Sequence, residues 1–269
     1  MDWARAKNIL IVLLFALNML LTGTIVSRAI GGGADRELYA SVMRVLKERD
    51  VNIACNFPKQ ITSSELLVYG DGTRFVEACA QALASDGTKS RVEKLGKESL
   101  RYTGLHPDEG LNTSGEAALD AAIRKNLGEK GVDLSNFTLD YTTKSENGSY
   151  FFQYILEYKG KLVFDSNINV SVNPEGGIEE ITINYREITS ATLDKLMKVM
   201  PAYQVILKNF NQGGDTIASI NIGFMGQNTR DNIFRESKEG AVWRVRLDDG
   251  TERFFEAAYG EEIYLYSQS

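Results

Sequence analysis

From Ile9 to Val26 the chain reads ILIVLLFALNMLLTGTIV, eighteen residues without a charge. The polar side chains in it are Asn18, Thr22 and Thr24. A helix rising ~1.5 Å per residue carries such a run across ~27 Å, enough for the hydrocarbon core of a bilayer. It is apolar around most of its circumference, which predicts a spanning helix and not an amphipathic one. A cleaved leader would have a shorter apolar core and a small-residue cleavage site, but Ser27-Arg28-Ala29 puts an arginine inside the motif. The expectation is an uncleaved single-pass anchor at 9–26 with a short cytoplasmic tail at 1–8. Arg5 and Lys7 precede the span and Arg28 follows it, a small bias toward an inside N-terminus. The remaining mass is then an extracytoplasmic ectodomain.

Beyond the anchor the pattern changes period several times. Residues 27–112 read as a juxtamembrane linker and the N-terminal part of the ectodomain. Ile30–Gly33 is a joint, and residues 36–49 are helical with Leu38, Val42, Val45 and Leu46 on one face. Extended pieces fall near Val51–Cys55 and Glu65–Tyr69. A helix over Thr73–Ala84 buries Phe75, Val76, Cys79 and Leu83. Lys89–Leu95 reads as a strand, and 96–112 as irregular. In a first module, 113–188, Thr113 and Glu116 have capping-box spacing. Leu119, Ala122, Ile123 and Leu127 make a helical stripe, with Gly128 as its terminating glycine. The period then falls to two. Strands are predicted over Asn136–Thr143, Tyr150–Tyr158, Leu162–Val172 and Ile181–Tyr185, an antiparallel meander with one face covered and one wet. A second module, 189–269, repeats the order. It has a helical stretch 190–210 interrupted at Pro201, then strands Thr216–Phe224, Val242–Leu247 and Thr251–Ala257, the last two joined by Asp249-Gly250. The fold class predicted is α+β, with tandem helix-plus-antiparallel-sheet modules behind a transmembrane helix.

Composition narrows the function. Of 269 residues, 43% are hydrophobic and 25% charged, and four prolines leave room for a sizeable core. The net charge of −6 and the lack of any basic run exclude a nucleic-acid binder that relies on clustered Lys and Arg. Cys55 and Cys79 form no CxxC pair, so they do not suggest zinc. Outside the cytoplasm a disulfide is permitted, but the apolar stripe around Cys79 favours a buried free thiol.

Catalytic chemistry has little support. His106, before Pro107, is the one histidine and reads as a solvated loop residue. No nucleophile elbow, HExxH or phosphate loop is present. Glu179-Glu180 points to opposite strand faces, Asp248-Asp249 lies in a turn, and Glu261-Glu262 reads as surface. No cofactor is expected. Aromatics crowd Tyr150–Tyr158 and Phe254–Tyr266, as core pairs or as an exposed partner face. Trp243, alternating with Val245 and Leu247, reads as core.

Several stretches resemble one family. Met1-Asp2-Trp3-Ala4-Arg5-Ala6-Lys7-Asn8-Ile9, running into an apolar span, looks like the start of YycI (WalI) proteins. Tyr158–Asp165, Ala202–Leu207 leading to Ile220–Phe224, and Val242–Leu247 with Glu256–Glu261 are similar to the same family and to its relative YycH. The strand motifs also resemble PepSY-like modules. The resemblance implies a membrane protein of Gram-positive bacteria that, with a YycH-like protein, associates with a WalK-type sensor histidine kinase and modulates cell-wall signalling without catalysis. It places the anchor against partner helices, where Asn18 and Thr22 would supply polar contacts. A PepSY-like binding module or protease inhibitor acting on the cell wall is the competing expectation.

Overall fold

The computed structural model describes residues 14, 33–58, 64–84, 91–104, 111, 115–194, 198–211, 213–226 and 238–264. Among these no helix is long and apolar enough to cross a membrane. The span expected at 9–26 lies outside the described residues, apart from Leu14.

Helix α1 (Gly33–Glu48) leads into β1 (Asn52–Ile53) and β2 (Ser64–Tyr69), then α2 (Thr73–Ala84), β3 (Arg91–Lys94) and β4 (Ser99–Thr103). Helix α3 (Glu116–Glu129) precedes four antiparallel strands: β5 (Phe137–Lys144), β6 (Tyr150–Tyr158), β7 (Lys161–Val172) and β8 (Ile178–Asn184). After β9 (Ile188–Asp194) come α4 (Ala202–Asn209), β10 (Thr216–Phe224), β11 (Lys238–Glu239), β12 (Ala241–Leu247), β13 (Glu252–Glu256) and β14 (Glu262–Ile263). The α+β class follows, with both predicted meanders in place. One mixed sheet of eleven strands runs β14-β13-β12-β10-β7-β8-β4-β3, with β1 against β10 and the β5–β6 hairpin against β7; β11, β2 and β9 form a second, three-stranded sheet.

Two pairings in the large sheet are parallel, β1 with β10 and β7 with β10. The second joins the two meanders through Leu162 opposite Gly223 and Val163 opposite Phe224. Strand β7 changes partner at this point. Its later residues pair with β8, its first with β10, and Phe164, Asp165 and Ser166 fall out of the β6 ladder between the rungs Leu156–Val163 and Ile155–Asn167. A glycine is required at the junction, because a Cβ at Gly223 would stand 2.4 Å from the Leu162 carbonyl oxygen.

The core follows the alternation. In β7 and β8 the apolar Ile168, Val170, Val172, Ile181 and Ile183 are buried, while Asn167, Asn169, Ser171, Thr182 and Asn184 remain half-exposed on the other face. Beneath the covered face lie Val76, Cys79 and Leu83 of α2, Leu119, Ile123 and Leu127 of α3, and Val205 and Ile206 of α4 in one continuous cluster. Both cysteines are free, and Cys79 is buried as its stripe required.

Four local expectations are corrected. Residues 96–112 are not all irregular: β4 is an internal strand between β3 and β8, burying Leu100 and Tyr102. The stretch 190–210 is not one helix. Its start belongs to β9, paired antiparallel with β2, and α4 begins only after Pro201. The β-branched Ile188, Thr189 and Thr192 suit a strand, and a partner 119–130 residues earlier in sequence cannot be read from local periodicity. The helix starts later than a box opened by Thr113 expects: Glu116 is the first residue of α3, with Gly115 (φ 142°) as the N-cap and no side-chain cap bond. Thr113 lies outside the described residues. Finally, α3 runs past Gly128. It ends in a Schellman turn in which Val132 N–H donates to Leu127 O and Gly131 N–H to Gly128 O, with Gly131 at φ 83°.

Candidate functional site

Strand β12 is buried along its whole length, so both faces of the sheet are covered there. Ala241, Trp243, Val245 and Leu247 face the main core, and the Trp243 indole N–H donates to Met200 O at 2.9 Å. On the other face Val242 joins Ile155, Phe164, Met225 and Phe254 in a second small core. Arg244 and Arg246 point the same way, and their charges are met by the β5–β6 hairpin.

Asp140 meets them because β5 carries a bulge. Leu139 pairs with Tyr154 and Tyr141 with Gln153, so Asp140 is the extra, unpaired residue, and a bulge re-aims its side chain. Arg244 grips the carboxylate with both terminal nitrogens, Nη2 to Oδ1 at 2.6 Å and Nη1 to Oδ2 at 2.8 Å. Arg246 Nη2 also donates to Oδ2, and its Nη1 reaches the Asp140 carbonyl at 3.4 Å. From β13, Glu252 accepts from Arg246 at 2.6 Å and from Arg244 at 3.3 Å. Asn221 and Gln153 take further guanidinium N–H groups. Arg244 lies over the Phe164 ring at 4.5 Å and Arg246 over Tyr141 at 4.5 Å, contacts that suit flat cations on aromatic faces. Two cations and two carboxylates balance in a site where Arg244 is 1% and the Asp140 side chain 8% exposed. Burial opposes the Asp140 charge, but the hydrogen bonds and charges of Arg244 and Arg246 outweigh it and hold the carboxyl below its ordinary value.

A second carboxylate sits at the β7–β10 junction. Asp165 Oδ2 accepts from Gly226 N–H at 2.9 Å and from Arg186 at 3.3 Å, while Oδ1 is closed off from solvent with no partner. Burial pushes this carboxyl above its usual value, against the pull of Arg186 and the Gly226 amide. Arg186 also binds Glu98 at 3.3 Å and stacks over Tyr69 at 5.3 Å.

Each carboxylate is engaged by a guanidinium, and no group of three His, Cys, Asp or Glu suited to a metal occurs among the described residues. Of the paired acids, Glu262 is held bidentately by Arg253 at 2.6 and 2.7 Å, and Asp249 caps its own turn through Thr251 N–H. His106 lies outside the described residues, as do Asn18 and Thr22. Two aromatics of β6 are core: Phe152 and Tyr154 are fully buried, and the Tyr154 hydroxyl donates to Asp120 on α3 at 2.9 Å. Tyr150 and Tyr158 pack half-buried against the same core, and Phe151 is half-exposed on the other face.

The surface offers contact area elsewhere. On α1, Val42 and Leu46 are buried while Leu38, Met43 and Val45 on the flanks stay exposed. Tyr39 stacks on Phe57 at 5.5 Å and meets Tyr203 of α4 edge-on. An open groove of about 650 Å³ runs beside α1, with Met43, Arg44 and Lys47 on one wall and Val51 and Ile53 on the other. Tyr259 and Tyr264, near the end of the chain, are also exposed.

The family model for the YycI protein matches residues 36–258, from the first turns of α1 to the end of the second meander. The chain belongs to the YycI family. The matched span holds both charge clusters and every strand up to β13. YycI proteins are a regulatory family, and membership implies involvement in WalK/WalR two-component regulation. Among solved structures, the C-terminal domain of Bacillus megaterium YpeB is similar at 11% identity and a TM-score of 0.36, over 74% of this chain and 98% of that one. No curated protein matches the chain.

The arginine cluster was not read from the sequence. Trp243-Arg244-Val245-Arg246-Leu247 shows plain alternation, for which the ordinary expectation puts arginines in water. The available signal was Val242 ahead of them on the same face, with Asp140 marked by nothing local.

Proposed function

We propose that this YycI protein is a membrane-anchored, non-catalytic regulator that displays its folded part outside the cytoplasm and binds a WalK-type sensor histidine kinase together with a YycH-like protein. The family match over residues 36–258 carries this reading. Three features support it. The apolar run Ile9–Val26 is long enough to be an anchor. Helix α1 begins at Gly33, seven positions after that run, so on this reading its exposed Leu38, Met43 and Val45 are available to a partner near the membrane. The buried carboxylates are committed to arginines, consistent with binding instead of turnover. Asn18 and Thr22 are the polar positions through which the anchor would meet partner helices. A regulator of this kind needs only to bind one kinase state more tightly than the other.

Co-purification from membranes tests the reading. The full chain should retain the kinase, and a chain lacking residues 1–26 should lose most of it. A full-length protein that retains neither the kinase nor a YycH-like partner would contradict the proposal.

We read the ectodomain as two PepSY-like halves, each a helix followed by antiparallel strands, and this supports a second reading as a cell-wall binding module or protease inhibitor. The observation favouring it is the wet sheet face, where Gln153, Asn167, Asn169 and Asn184 present half-exposed carboxamides. Saturable binding to purified wall polymer or a peptidase, with no change in kinase output on deletion, would select it.

A further inference from the structure

We propose that the β7–β10 junction is a hinge and that the Asp140–Arg244–Arg246–Glu252 cluster is the latch that closes it. Within the large sheet the backbone connection across the junction is slight, the further tie being the small sheet in which β2 pairs both β9 and β11. Two paired positions join β7 to β10, at the point where Phe164, Asp165 and Ser166 leave the ladder and free β7 to bend. The close approach there depends on Gly223, and just beyond β10 on Gly226, where a Cβ would lie 1.7 Å from Arg186 Nη1. The helix side is different. The main core runs without a break from α2 and α3 to α4, so that side can act as the pivot.

On the opposite side the halves are closed by contacts distant in sequence. Asp140 of β5 holds arginines that follow it by 104 and 106 positions. The β12–β13 turn comes up beneath β5, with the ideal Cβ position of Gly250 at 3.5 Å from the Tyr141 hydroxyl. Under this cover lies the small core of Ile155, Phe164, Met225, Val242 and Phe254. Closed, two buried guanidiniums are balanced by two carboxylates. Without the Asp140 charge they face Glu252 alone, and an arrangement that returns them to water gains relative to the closed one. Such a device has two discrete arrangements, and a molecule touching both halves on this side biases it toward the closed one.

The test measures distances in the full-length protein by paired spin labels, in a Cys55→Ser, Cys79→Ala background. Glu146→Cys with Asp248→Cys reports the latch side, and Lys125→Cys with Lys208→Cys the helix side. Adding Asp140→Asn should raise a longer-distance latch-side population from below detection to about 10% or more of molecules, leaving the helix-side distances unchanged. Glu252→Gln, a gentler loss, should act in the same direction and serves if Asp140→Asn does not fold. Unchanged distances on both sides in a less stable protein would make the cluster a structural brace, and equal broadening on both sides would mean general loosening; either overturns the hinge.

Discussion

Asp140 and Asp165 are both buried beside arginine, yet their carboxyls are displaced in opposite directions. The difference lies in their partners. Asp140 takes three guanidinium bonds from two arginines, whereas Asp165 has one guanidinium, one amide and an oxygen with nothing to accept from. Replacing Asp140 by Asn leaves the two arginines under-balanced and should cost about 3–5 kcal/mol, the range for breaking a buried pair from one side. Urea unfolding measures it. Asp165→Asn can keep the Gly226 contact and removes a charge that burial disfavours, so a loss below about 1.5 kcal/mol is expected, near that of one ordinary hydrogen bond. The pH dependence follows. The Asp140 contribution is complete above its unfolded value near 3.8 and is lost as pH falls through its lower folded value. The Asp165 contribution has the opposite sign, present at low pH and lost as pH rises through its raised folded value. Asp140→Asn should therefore flatten the acid limb of the stability profile, and the loss from Asp165→Asn should be smallest where wild-type Asp165 is ionised. At this scale Cys79 and Trp243 were legible in the sequence, since an apolar stripe and a strict alternation place them. Asp140 was not, because the bulge that aims it is visible only in the register against β6.

The elements divide by how local their causes are. Helix α2 and strand β6 appear with the predicted bounds, each with a periodic apolar stripe of its own and turn residues beside it. Strand β9 was misread because its partner β2 is far away in sequence, and β4, although its neighbour β3 pairs with one edge, is made an internal strand by the distant β8. The end of α3 depends on Gly131 at φ 83°, which a side chain adopts at a cost. Gly131→Ala should lower stability by about 1 kcal/mol, visible as a lower melting temperature. Gly223→Val is a harsher case. Its side chain would meet the Leu162 carbonyl and the Phe164 ring, breaking the parallel rungs, and a loss of about 3 kcal/mol or more is expected from overpacking together with the lost pairing. Hydrogen exchange should show the damage first at Leu162–Val163 and Gly223–Phe224.

At the scale of the molecule, the family assignment and the core concern the same stretch of chain. The buried residues described begin at Val42, inside the span matched to YycI. Removing residues 1–26 should therefore leave the melting temperature within a few degrees while abolishing recovery in the membrane fraction, which separates the tether from the fold. A lower melting temperature in the truncated chain would instead mean that the anchor contributes to the packing of the ectodomain.

Much of this protein is written locally: the uncharged run Ile9–Val26, the stripes of α2 and α3, the alternation through β6, β7 and β12, and the family resemblance of its strands. Such features survive in sequence because each needs only neighbours within a turn or a strand, at periods of 3.6 or 2. Tertiary structure alone decided that the two meanders share one sheet, that β7 exchanges β8 for β10 at its bulge, and that Arg244 and Arg246 lie buried instead of wet. Those outcomes depend on which distant strand comes to lie across a face, and side-chain alternation is the same whether the second face meets water or Asp140.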